Sequence, residues 1–139
     1  MEEVTLKIPS NTQFVGPVIQ FVSSLFNEKE VDESAVSNVV TSVMEALGNA
    51  IVHGNGSDRT KSIELLLQID NHRIHIEVQD EGSGFDINAL SDPLTPENLL
   101  KSDGRGIFLI RTLMDRVSLD VNGRGTTLCM EKEFVHALE

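Results

Sequence analysis

The chain has 139 residues, one cysteine, no tryptophan or tyrosine, and a formal charge of -11 at pH 7. This length suits one domain spanning residues 1–139 with a full hydrophobic core, and the acidic balance argues against a direct nucleic-acid binder, which normally carries a basic stripe. No apolar run approaches the ~20 residues of a membrane span, the acidic start Met1-Glu2-Glu3 is unlike a signal peptide, and the single cysteine excludes an intramolecular disulfide, so a cytoplasmic protein is expected.

In chain order, Val4 to Ile8 alternates as a strand that Pro9 ends. Asn11 to Asn27 reads as a helix capped by Ser10 or Asn11, with Gly16-Pro17 disturbing its first turns. After the polar connection Glu28 to Asp32, a second helix runs from about Glu33 to His53, capped by Asp32 and closed by Gly54. Two alternating strands follow: Ile63, Leu65, Leu67 and Ile69 share one face, and Ile74, Ile76 and Val78 share one face of the next. Asp70-Asn71-His72-Arg73 between them is turn chemistry, which makes a hairpin.

Residues 81–103 carry glycine and proline without periodicity, and a loop of that length is usually functional, here a lid over about 86–103. Gly106 to Met114 is a short apolar helix. A second hairpin joins Val117–Val121 to Thr126–Phe134 across Asn122-Gly123. Cys129, between Leu128 and Met130, reads as a small sheet residue rather than a nucleophile. The order β-α-α-β-β-loop-α-β-β implies an α+β fold: a two-layer sandwich with helices on one face of a mixed, mostly antiparallel sheet.

At ~100° per residue, Val36, Val39, Val40, Val43, Leu47, Ala50 and Ile51 form one stripe of the second helix, while Glu45, Asn49 and His53 line the opposite side. A solvated face is the ordinary explanation of such a stripe. Gly48 and Asn49, however, are both poor helix formers, costing about 0.6–1 kcal/mol each relative to Ala. Placing them mid-helix makes sense if a ligand approaches the backbone there. The Asn49 oxygen suits magnesium, a hard ion that takes one or two protein ligands and leaves the rest to water and phosphate. Glu45, one turn away, is placed to take a proton from an attacking hydroxyl. His53, at the helix end, fits a partner for the last carbonyls.

Two glycine loops follow. Asp80 ends a strand and precedes Glu81-Gly82-Ser83-Gly84, where a carboxylate can accept a hydrogen bond from an exocyclic amine such as that of adenine. Gly104-Arg105-Gly106 opens a helix, whose free N–H groups and dipole suit phosphate; Arg105 either adds a charged contact or points to solvent. There is no P-loop and no Rossmann fingerprint.

These segments resemble, in order, the four boxes of the GHKL ATPase superfamily of gyrase, Hsp90, histidine kinases and MutL. Glu45 to Gly54 is similar to its N box, Asp80 to Asp86 to its first glycine box, Gly104 to Arg111 with Met114-Asp115 to its second, and Gly125-Thr126-Thr127 to its last. The resemblance covers nearly the whole chain and is strongest to the bacterial anti-sigma-factor serine/threonine kinases of partner-switching systems. It implies the Bergerat fold, ATP and Mg²⁺ as cofactors, Glu45 as general base, Asn49 as metal ligand and Asp80 as adenine reader. It further implies that Gly82 and Gly84 shape the base pocket, that Gly104 and Gly106 bind phosphate, and that Thr127 supports the adenine site. The expected partners are a small STAS-domain antagonist, phosphorylated on serine or threonine, and a sigma factor, with a homodimer also expected. Asp103, where many relatives carry glycine, is a departure. The alternative is an ATP-gated binding module that sequesters a partner without phosphotransfer; a third reading makes the glycine loops mere turns.

Overall fold

The computed structural model describes residues 1–82, 102–123 and 125–136. Its elements are β1 (Glu2–Pro9), a 3₁₀ turn (Thr12–Phe14), α1 (Val15–Glu28), α2 (Glu33–Asn49) continued by a π turn (Ala50–Gly54), β2 (Ser62–Ile69), β3 (Arg73–Gln79), α3 (Ser102–Leu113), β4 (Arg116–Asn122) and β5 (Gly125–Glu133). The strands form one sheet in the order β1-β2-β3-β5-β4, and each of the four pairings is antiparallel. The expected order of elements and the helix-on-sheet arrangement are both present.

The hydrophobic pattern decides which faces meet. Ile63, Leu65, Leu67 and Ile69 of β2, Ile74, Ile76 and Val78 of β3, and Leu128 and Met130 of β5 are buried against the helices. From the other side come Val18, Val22 and Phe26 of α1 and Val39, Val43, Leu47 and Ile51 along α2 and its extension. Each such side chain contributes about 1.5–3 kcal/mol by leaving water. Phe26 meets Phe134, just beyond β5, edge to face with ring centres 5.8 Å apart. The Asp32 carboxylate caps α2 as expected, accepting from the Ala35 N–H at 3.0 Å.

The run Glu33–Gly54 corrects one expectation: it has 22 residues, and an 18-residue stretch within it has a mean hydropathy of 1.3, so it is long and apolar enough to cross a membrane by length and composition. Its apolar stripe is instead built into the core, with Val39, Val43, Leu47 and Ile51 at most 1% exposed. α1 also departs slightly: Gly16-Pro17 lies inside its first turn, where proline's missing N–H costs nothing, and the 3₁₀ turn absorbs the irregular entry.

α2 does not stop at a simple glycine cap. It widens over Ala50–Gly54, and the Asn55 N–H donates to the Ala50 carbonyl at 2.9 Å. Such a π turn often marks a functional position. The Asn55 side chain is buried and joins three segments. Its Nδ2 donates to Ser10 Oγ at the end of β1 and to the Ser62 carbonyl at the start of β2, while its Oδ1 accepts from the Glu81 N–H at 2.7 Å. Asn55→Ala is expected to cost about 3 kcal/mol, at roughly 1 kcal/mol for each of the three bonds. Urea denaturation checks it; an unchanged midpoint would mean that water replaces the carboxamide.

Candidate active site

Asp80 leaves the end of β3 and turns into the molecule, where it is 4% exposed. Its Oδ1 accepts two backbone hydrogen bonds of 3.0 Å, from Gly82 and Thr126, and its own N–H donates to the Thr126 carbonyl at 3.0 Å. Three glycines enclose it. A Cβ on Gly54 would overlap the Asp80 side chain, one on Gly82 would overlap the Gly54 carbonyl, and one on Gly125 would overlap the Asp80 carbonyl. Gly125 also has φ +138°, where side chains are strained. Of these, Gly82 was expected at the base pocket. Gly54 looks like a helix stop in the sequence, and only its contact with Asp80 gives it this further duty.

Asp80 and Asn49 line the same cleft, between α2, α3 and the sheet, with Ala46, Ala50, Val78, Ile107, Leu119, Thr126 and Leu128. The cleft has apolar walls and polar ends and holds about 40 Å³. A larger hollow, about 750 Å³, lies at the opposite end of β3 beside Asp70 to Arg73 and contains none of the expected site residues. Asn49, Asp80 and Thr126 thus gather at the small cleft, not at the larger volume.

In the last box the cleft-facing threonine is Thr126, whereas Thr127 was the residue expected to support the adenine site. Side chains alternate across a strand, so Thr126, Leu128 and Met130 of β5 face the helices and Thr127 faces the other way, paired with Gln79 and Asp120. Thr126 lines the cleft, and its buried Oγ1 has no hydrogen-bond partner among the described residues. A buried hydroxyl left this way is what a ligand atom would satisfy.

At the other end, α3 supplies Gly106. A Cβ there would lie 3.0 Å from Asn49 Nδ2, 3.1 Å from Glu45 Oε2 and 3.6 Å from Asn49 Oδ1. The bare glycine therefore leaves a hollow in which the carboxylate and the carboxamide converge. Those groups offer hard oxygen donors, and rotation of the carboxamide presents its oxygen, so the residues fit a magnesium ion. The helix already includes Ser102 and Asp103, ahead of the start expected at Gly106, and Ser and Asp suit an early helical turn. Gly104 and Gly106 both belong to the described part of α3. Gly106 acts through its missing side chain.

Arg105 lies on the backbone of that first turn. Gly84 and most of the expected lid, residues 83–101, fall outside the described residues, while Ser102 and Asp103 belong to α3. His53 is exposed at the end of the π turn. Burial first, then the Glu77 carboxylate, pushes the Cys129 thiol above its ordinary value of 9.0, so the thiolate needed for nucleophilic chemistry is scarce.

A Cβ on Gly48 would meet nothing within 4 Å, so packing among the described residues does not explain this glycine. Gly48→Ala is expected to raise stability by up to about 1 kcal/mol. If a ligand uses the bare backbone there, nucleotide affinity falls in the same variant. Parallel melting curves and nucleotide titrations separate the two effects, and unchanged affinity would remove Gly48 from the site.

The fold is that of a histidine kinase-like ATPase domain, and the profile of that family matches residues 8–132. The chain is 31% identical over 137 residues to the serine-protein kinase RsbW of Halalkalibacterium halodurans, covering 94% of this chain and 83% of that one. It is 27% identical to RsbW of Bacillus subtilis, covering 93% and 84%. The chain belongs to the histidine kinase-like ATPase family, on its branch of RsbW serine-protein kinases. In fold it is similar to the RsbU and RsbW domains of a Mycobacterium tuberculosis protein, with a TM-score of 0.71 and 15% identity. That match covers 96% of this chain, which spans only 33% of the mycobacterial one. The catalytic domain of the histidine kinase ThkA is similar over 98% of the chain, with a TM-score of 0.60 and 12% identity.

Proposed function

We propose that this chain is a cytoplasmic, Mg²⁺-ATP-dependent protein serine/threonine kinase that acts as an anti-sigma factor or anti-regulator, with a small STAS-domain antagonist as its phosphoacceptor. The observation that carries the reading is the convergence of Glu45 and Asn49 over Gly106, at one end of a cleft whose other end holds Asp80. One end suits phosphate chemistry and the other suits a base.

Adenine fits the apolar walls. Its amine would donate to the Asp80 carboxylate, with Thr126 Oγ1 beside it. Asn49 would hold Mg²⁺ through its carboxamide oxygen, and the ion when bound offsets the charge of the phosphates. The Glu45 carboxylate orients the acceptor hydroxyl and takes its proton. The hydroxyl oxygen bonds to the γ-phosphorus, the bond from that phosphorus to the β-γ bridging oxygen breaks, and ADP leaves with the electron pair. Positioning and charge stabilisation carry most of such a reaction. The presence of a base beside the metal ligand weighs against an ATP-gated binder without chemistry. A homodimer and a bound sigma factor belong to the same proposal.

The test is recovery of partners from the native cell extract with the tagged chain and Mg²⁺-ATP, followed by mass spectrometry. A phosphoserine or phosphothreonine on a small STAS-like protein is expected. Nucleotide-dependent capture of an unphosphorylated partner would overturn the kinase and leave the binder.

A further inference from the structure

The sheet has a second face, turned away from the helices and from the nucleotide cleft. On β3 this face carries His75 and Glu77, and on β5 it carries Cys129 and Glu131. The antiparallel register sets His75 directly opposite Glu131 and Glu77 directly opposite Cys129, so the four make a square across two central strands. All four are half-buried. His75 Nε2 lies 2.7 Å from Glu77 Oε2, and Nδ1 lies 3.1 Å from Glu131 Oε1. One ligating atom from each of His75, Glu77 and Cys129 falls within 4.8 Å of the others. Neither carboxylate has another ion-pair partner among the described residues.

We infer that His75, Glu77 and Cys129 form a zinc(II) site, with water as the fourth ligand and Glu131 holding the imidazole in place. The donor set selects the metal: thiolate with imidazole suits zinc, whereas magnesium and calcium prefer oxygen alone. Zinc bonds of about 2.0–2.3 Å place tetrahedral ligands roughly 3.5 Å apart, so the 4.8 Å cluster closes with side-chain movements of about 1 Å. Nε2 points at Glu77 and takes the metal; Nδ1 keeps its proton and donates it to Glu131. A carboxylate behind a ligating histidine fixes its tautomer and orientation. On binding, the Cys129 S–H bond breaks, the sulfur bonds the metal and the proton leaves to solvent.

The placement gives the site a consequence. β3 runs on into Asp80, and β5 carries Thr126 near its start, so the ion ties together the two strands whose ends form the base pocket. It would stiffen that pocket from behind, without contact with the nucleotide.

The test uses the full chain, stripped by chelator and titrated with cobalt(II) as the probe for zinc. A thiolate-to-cobalt charge-transfer band saturating at one equivalent, and abolished by zinc, is expected. Cys129→Ser, which keeps the side chain's shape, should eliminate the band. His75→Gln should weaken zinc binding at least 100-fold, and Glu131→Gln by about 10–100-fold with the band retained, since it acts through the imidazole. Melting curves of each variant without metal confirm folding, and by mass action zinc should raise the melting temperature most for the parent chain, less for Glu131→Gln, and not at all for Cys129→Ser. No charge-transfer band, or a band that survives Cys129→Ser, would overturn the site. Equal zinc affinity in a folded His75→Gln chain would do the same.

Discussion

Glu45→Ala should reduce phosphotransfer by about 10²–10⁴-fold, the usual contribution of a positioned general base, while ATP affinity stays within a few fold. The two effects separate because Glu45 lies against Gly106 and is not among the residues that line the cleft holding Asp80. Asn49, on the same helix face, touches both regions, so Asn49→Ala should lose nucleotide affinity as well as turnover. The measurement is single-turnover transfer to the recovered partner at saturating Mg²⁺-ATP, with nucleotide binding titrated in parallel. Transfer at the parental rate in Glu45→Ala would remove Glu45 as the base, and a matching collapse of ATP affinity would make it a binding residue.

The second large effect is expected at a residue that touches no substrate. Gly54→Ala keeps a backbone conformation that alanine readily adopts, because Gly54 ends the helical run. Its new methyl group nevertheless collides with the Asp80 side chain, and a Cβ there would lie 2.9 Å from Asp80 Cβ itself. Asp80 cannot swing aside freely, since the N–H groups of Gly82 and Thr126 hold its Oδ1. ATP affinity should therefore drop at least tenfold, about 1.4 kcal/mol, with helix content preserved. Isothermal titration with ATP, beside a circular dichroism melt, checks this. Undiminished affinity in a folded variant would show that Asp80 has more room than the three enclosing glycines suggest.

The difference between these two residues bears on what could be read from the chain itself. Glu45 and Asn49 were legible because helical spacing of four puts them in one stripe, and poor helix formers beside them need an explanation. The strands were legible for the same reason: period-two burial in β2 and β3 is strict. Gly54 was not, because a glycine after a helix has a sufficient local explanation and its contact with Asp80 is made across 26 residues. Asn55 likewise looks like turn chemistry until its carboxamide is seen bridging Ser10, Ser62 and Glu81.

The choice of Thr127 over Thr126 has a different origin. Two adjacent threonines are equivalent by composition, and only the pairing of β5 with β3 decides which faces the cleft. The start of α3 was displaced because glycines suggested a boundary, while Ser102 and Asp103 ahead of them favour a helical turn.

One helix thus carries the proposed base Glu45, the proposed metal ligand Asn49 and, through its widened last turn, the wall against Asp80. α2 is packed by Val39, Val43 and Leu47 and tethered at its far end by Asn55. It can tilt or slide only as a unit. A core substitution that rocks it will disturb the choice of nucleotide and the rate of transfer together. The two traits are mechanically inherited as one, and variants that alter one alone should come from the strands and from α3.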